Sequence, residues 1–132
     1  MPIVVDTSVL IAVIAGETER PALIRATEGA DLVAPASVHW EVGNACSAML
    51  KRRRASLAQV RAMLAAYAQI PLRFLEVDLG VALELADEFG LYAYDAYLLA
   101  SARAQRVALL TLDQALARAA RDAGIRLVEI DR

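Results

Sequence analysis

Five short β-branched or aliphatic runs, Ile3-Val4-Val5, Leu32-Val33, Arg73-Phe74-Leu75, Ala108-Leu109-Leu110 and Arg126 to Ile130, are separated by longer segments with helical spacing of apolar residues. The runs are mostly apolar and lack the alternation that one-sided burial produces, which is the pattern of strands covered on both faces. Strands of that kind, alternating with helices, build a parallel sheet in an α/β fold. About five strands are expected. No Ser/Gly-rich linker, low-complexity tract or repeat interrupts the pattern, so residues 1–132 are expected to form a single domain.

The helical segments carry their own punctuation. Thr18 and Gly29 bracket one, with Pro21 tolerated in its first turn, and another starts near Ser37. Ser56 with Gln59 forms a capping-box pattern for a helix that must stop before Pro71. Asp78 and Gly90 bracket a further helix, and Asp113 and Gly124 the last. Leu57, Val60, Leu64 and Tyr67 recur at helical spacing, as do Leu116, Ala119, Ala120 and Ala123.

Composition narrows the chemistry. A chain of 132 residues that is 58% hydrophobic has ample material for a core, so disorder is excluded as its main state. The longest apolar run, Val9 to Ala15, is far short of the ~20 residues that cross a membrane, and Met-Pro-Ile-Val-Val-Asp has no basic segment before its apolar one. A cytoplasmic, unexported chain is expected. With one cysteine, Cys46, and one histidine, His39, neither an internal disulfide nor a structural zinc site can form. The same counts exclude a two-histidine ribonuclease, and a Ser-His-Asp triad would depend wholly on His39 with no G-x-S-x-G elbow present. Any catalysis falls to carboxylates.

Asp6 ends the first strand run and Asp113 follows the fourth, so both belong at the carboxyl edge where open parallel sheets bind ligands. Asp95, in Tyr94-Asp95-Ala96, opens the helix leading into that fourth run. Each of these aspartates precedes or opens a helix, and aspartate is a favoured N-cap worth ~1 kcal/mol, so any one alone reads first as a cap. Glu41 differs. It lies roughly 80° from the centre of the stripe Val38, Val42, Ala45 and Met49, at the margin of the core and too far into its helix to cap it. A carboxylate there needs a partner, either an arginine such as Arg52 or a cation. Four acids within a few Å would repel one another and raise at least one pKa unless a cation sat among them, and an all-oxygen set suits Mg²⁺ or Mn²⁺. Such an ion acidifies water and orients phosphates, which points to phosphodiester hydrolysis. Thr7, Ser8, Asn44 and Thr111 are placed to hydrogen-bond the ligands, though each more often serves a local cap or turn.

Val5-Asp6-Thr7-Ser8, then Glu41 with Asn44, then Tyr94-Asp95-Ala96, then Thr111-Leu112-Asp113, taken in this order, resembles a PIN-domain ribonuclease of the small VapC-type toxin group. The resemblance spans the chain from Asp6 to the last strand. It implies a three-layer α/β/α sandwich, Mg²⁺- or Mn²⁺-dependent RNA cleavage, a homodimer, and neutralisation by a cognate antitoxin protein. It also implies that Asp6, Glu41, Asp95 and Asp113 form the acidic quartet that catalyses and binds metal, and that Thr7, Ser8, Asn44 and Thr111 support it.

Charge bears on the partner. The net is −2 and the sequence pI about 5.4, below the range of typical nucleic-acid binders. Yet no acidic residue lies between Glu41 and Glu76, a stretch holding Lys51, Arg52, Arg53, Arg54, Arg61 and Arg73. Lys51-Arg52-Arg53-Arg54 is suited to RNA phosphates or, equally, to complementing a helix C-terminus. Helical count puts Trp40 opposite the Val38 and Val42 stripe, most simply beneath another helix. His39 reads as structural or surface, and Cys46 as a small core residue. A haloacid-dehalogenase-like phosphatase would need an Asp where Ser8 stands and a better-placed lysine than Lys51. A phospho-receiver module would want a lysine at the last strand, which carries Arg126. A catalytically silent PIN-like module that binds RNA or protein is the remaining alternative.

Overall fold

The computed structural model describes residues 1–131. Its elements run β1 (Pro2–Val5), α1 (Thr7–Ile14), α2 (Arg20–Thr27), β2 (Asp31–Pro35), α3 (Ser37–Lys51), α4 (Leu57–Ala68), β3 (Leu72–Leu75), α5 (Leu79–Phe89), α6 (Ala93–Gln105), β4 (Ala108–Leu110) and α7 (Gln114–Asp122). The four strands form one parallel sheet in the order β3-β2-β1-β4. From β1 to β3 the chain steps in one direction, and from β3 to β4 it doubles back past β1. Right-handed crossovers then place α1 to α4 on one face and α5 with α6 on the other, giving an α/β/α sandwich. Consistent with this, α6 packs across β1, β2 and β4 and carries α5 against it. Val4, Val5, Val33, Leu99, Leu109 and Leu110 are fully enclosed between the layers.

Strand order reverses at β1, so the crevice for a ligand opens between the carboxyl ends of β1 and β4. The register pairs Val5 with Leu110 and Pro35 with Leu75, so neighbouring strands end level. Asp6 and Thr111 are the next residues and face each other across that crevice.

The expected fifth strand is reduced to one bridge, Leu109 with Leu127, held by Leu109 N–H to the Arg126 carbonyl and Val128 N–H to the Leu109 carbonyl, both at 2.9 Å. The cause is the brevity of β4: after Leu110 the chain leaves the sheet to bring Thr111 to Asp6, so there is little strand for Arg126 to Ile130 to pair with. Strand β3 also departs from two-sided burial. It is an edge strand with Arg73 and Phe74 exposed.

The helix punctuation holds except at Thr18. Ser56 and Gln59 form the full capping box, and Asp78 caps α5, which ends on Gly90 at φ +64°. Glu19, not Thr18, precedes α2, and no side chain caps that helix. Helix α3 ends in a closed C-terminal turn, with Arg53 N–H on the Leu50 carbonyl and Arg54 N–H on that of Met49. Arg53 adopts φ +56° to make this turn, where glycine is usual.

Candidate functional site

Asp6 is 5% exposed and sits between β1 and α1. Burying a carboxylate is costly unless donors surround it, and three do. Ser8 Oγ donates to Oδ1 at 2.6 Å and Val9 N–H donates to the same oxygen at 3.2 Å, while Thr111 Oγ1 donates to Oδ2. Both hydroxyls are themselves oriented by the β4–α7 loop: Leu112 N–H donates to Ser8 Oγ at 3.1 Å and Asp113 N–H to Thr111 Oγ1 at 3.0 Å. Asp6 thus ties the end of β1 to the start of α7 and keeps lone-pair capacity on Oδ2. Burial still outweighs these bonds and raises its pKa, with Asp113 adding to the rise.

Glu41, on the second turn of α3, is half-buried as its place beside the apolar stripe predicts. Its Oε2 is buried and has no hydrogen-bond partner. Among the described residues the one ion pair is Arg73 with Asp31, at 2.9 Å, so the Glu41–Arg52 pairing is not formed. Burial, then Asp6, then Asp95 push the Glu41 pKa up to about 7 from 4.5.

Asp95 does not cap its helix. Tyr92 is the N-cap of α6 and makes no side-chain cap bond; Asp95 is in the first turn. Its pKa is raised by burial, then by Asp113 and Asp6. Asp113 does cap α7, accepting Ala115 N–H at 2.9 Å and Leu116 N–H at 3.2 Å. Both bonds fall on Oδ1, which leaves Oδ2 free for a cation. A cap and a ligand are therefore compatible roles for one carboxylate.

The four acids share one electrostatic environment, since Asp6, Glu41 and Asp95 each have another member of the set among the causes of their raised pKa. Among the described residues no three His, Cys, Asp or Glu side chains form a ready-made coordination set. The donor set is all oxygen, and the orphaned Glu41 Oε2 is the atom a hard cation would satisfy.

The shift of Glu41 has a testable sign. Its folded-state pKa lies above the unfolded value, so folding takes up a proton between 4.5 and about 7, and the metal-free protein loses stability as pH rises through that window. Glu41→Gln removes this loss. In EDTA, the variant's melting temperature should exceed the parent's near pH 8 and approach it near pH 5; an unchanged difference at the two pH values would contradict the assignment.

Other expected site residues are less closely drawn in. Thr7 Oγ1 is buried without a partner and makes no bond to the acids. Asn44 is exposed, and its backbone carbonyl accepts from Ser47 Oγ at 3.0 Å. Lys51, Arg52, Arg53 and Arg54 are exposed at the far end of α3, about 15 Å along the helix from Glu41. Trp40 is not beneath a helix but 75% exposed. Sequence reading missed Ser37, whose Oγ is buried and unpartnered at the start of α3; a serine at a helix start reads as a cap, and this one caps nothing.

A PIN domain family model matches residues 3–122. The chain belongs to the PIN domain family. Its fold is similar to that of several solved structures. PAE2754 from Pyrobaculum aerophilum is 26% identical, with 90% of this chain and 79% of that one covered and a TM-score of 0.71. VapC20 from Mycobacterium tuberculosis, a toxin that cleaves the sarcin-ricin loop, is 18% identical over 89% of this chain and 94% of its own, at a TM-score of 0.64. VapBC2 from Rickettsia felis, solved on a DNA fragment from its promoter, is 15% identical over 99% and 100%, at 0.70. No curated protein matches this PIN domain.

Proposed function

We propose that this PIN domain is a metal-dependent endoribonuclease and the toxin of a toxin-antitoxin pair. The observation that carries the reading is the set of acids around the switch point of the sheet: burial and neighbouring acids raise the pKa of Asp6, Glu41 and Asp95, Asp113 is among the causes for Asp6 and Asp95, and Glu41 Oε2 is buried without a partner. Through their open oxygens these four would hold Mg²⁺ or Mn²⁺, which when bound acidifies water and offsets charge developing on a phosphate. Ser8 and Thr111 hold Asp6 in one orientation. With such an ion on Oε2, the other Glu41 carboxylate oxygen, Oε1, would accept the proton of the attacking water. Thr7 and Asn44 are left with supporting roles at most one turn from an acid. Single-stranded or looped RNA suits the site, because an A-form helix hides its major groove from side chains.

The toxin reading rests on likeness to VapC20 and to toxin-antitoxin assemblies such as VapBC2. A groove of about 460 Å³ between α1, α2 and the end of α4, lined by Val9, Val13, Leu23, Ile24, Ala66 and Ile70, would take the apolar side of an antitoxin segment. It meets the stretch without acidic residues between Glu41 and Glu76 at Ala66, Gln69, Ile70 and Pro71. Leu79, Val81 and Leu83 on α5, with Tyr92 and Tyr94, are exposed and would be covered in a homodimer, which size-exclusion chromatography of the purified protein tests. No helix among the described residues is long and apolar enough to cross a membrane, and the single buried Cys46 suits a reducing cytoplasm.

Incubation of total RNA with the purified protein tests the activity. Cleavage with Mg²⁺ or Mn²⁺ and none in excess EDTA is expected; equal cleavage in both removes the metal mechanism, and none in either favours a silent RNA- or protein-binding module.

A further inference from the structure

Trp40, the only tryptophan in the chain, adjoins Glu41 on α3 and keeps 75% of its surface exposed. It is nevertheless braced. Its ring meets that of His39 edge to face, with centroids 4.9 Å apart and planes at 78°. His39 in turn has Nδ1 at 3.0 Å from the Tyr67 hydroxyl and its ring 5.7 Å from Phe74 at 77°. An indole held from one side and open elsewhere has lost much of the rotamer freedom that stacking would otherwise cost.

The stripe that continues from Trp40 is polar. Asn44, Ser47 and Lys51 follow at steps of four, three and four residues, all exposed, and the closed turn of α3 then presents Arg52, Arg53 and Arg54. The stripe is about 16 Å long. A protein interface core would be poorer in charge around a tryptophan. A nucleic-acid strand fits both ends, because a flat neutral base can be gripped at Trp40 while four cations attract phosphates at the other end.

We propose that Trp40 stacks on a base of single-stranded RNA lying along this outer stripe of α3, with Lys51, Arg52, Arg53 and Arg54 holding its phosphates at the far end. The proposal rests on the ribonuclease reading and adds a positioning residue for its substrate. Because Trp40 is the sole tryptophan, its fluorescence reports on the contact directly. A mixed-sequence, single-stranded oligoribonucleotide titrated into the protein in EDTA should quench the emission. Trp40→Ala should weaken binding by about 5- to 150-fold, measured by anisotropy of a labelled oligonucleotide, and Trp40→Phe should retain most of it. Replacing the four cations by Ala should flatten the salt dependence of binding.

Quenching by RNA with loss of binding in Trp40→Ala supports the stacking role. Parent protein that cleaves RNA with Mg²⁺ yet shows no quenching, and a Trp40→Ala variant that binds as the parent does, would overturn it while leaving the ribonuclease function standing. Emission that changes with protein concentration and not with RNA would overturn it in favour of a second copy covering Trp40. A parent that neither binds nor cleaves RNA overturns both readings together.

Discussion

Asp95→Asn is expected to reduce RNA cleavage by more than about a hundredfold while leaving the metal-free protein at least as stable as the parent. Residues that merely orient metal ligands contribute about 10- to 100-fold, so losing a ligand should exceed that. Stability should behave differently from activity. Asp95 lies inside the first turn of α6, beyond the N-cap Tyr92, and is not a capping side chain. A negative charge near a helix N-terminus is favourable by about 0.3–1 kcal/mol, yet the Asp95 pKa is raised by burial and by Asp113 and Asp6. The net environment therefore disfavours the charge, and a neutral amide of the same shape relieves it. Thermal melts in EDTA beside a cleavage assay check both halves. An Asp95→Asn protein that cleaves at the parental rate would contradict the assignment of this residue.

Thr111→Val should be the most destabilising single change at the site. The hydroxyl donates to buried Asp6 and accepts Asp113 N–H, so valine leaves a charged acceptor short of one donor and a backbone donor unpaired. Hydrogen bonds to charged groups contribute about 1.5–3 kcal/mol, which for a domain of this size lowers the melting temperature by about 6–12 °C. Thr111→Ser, which keeps the hydroxyl, should recover most of the loss. A Thr111→Val melting temperature equal to the parent's would show that Asp6 is not held as described.

The placement of much of the candidate site was legible because its residues sit where strands end. A run of aliphatic residues followed by Asp marks the carboxyl edge of a parallel sheet whatever the rest of the chain does, and Asp6 and Asp113 were found that way. Glu41 was found by helical phase, which places a side chain relative to its own helix. Phase also put Trp40 opposite the core stripe but could not say whether another element covers that side; none of the helices does. The roles of Ser8 and Thr111 were harder to see, because their bonds to Asp6 join residues at opposite ends of the chain and short polar side chains usually bond locally. The last strand was over-read for a related reason. Its sequence is strand-like, but pairing needs a partner edge, and β4 offers only three residues.

The central claim, that four separated carboxylates make one cation site, is tested most directly by the melting temperature of parent and Asp95→Asn protein as a function of Mg²⁺ concentration, with no RNA present. A site formed only on folding stabilises by mass action, by about 2.7 kcal/mol at one hundred times the dissociation constant. The parent should therefore melt progressively higher as Mg²⁺ rises, and the variant should respond much less. A parent indifferent to Mg²⁺, or equal shifts in the two proteins, would contradict the account.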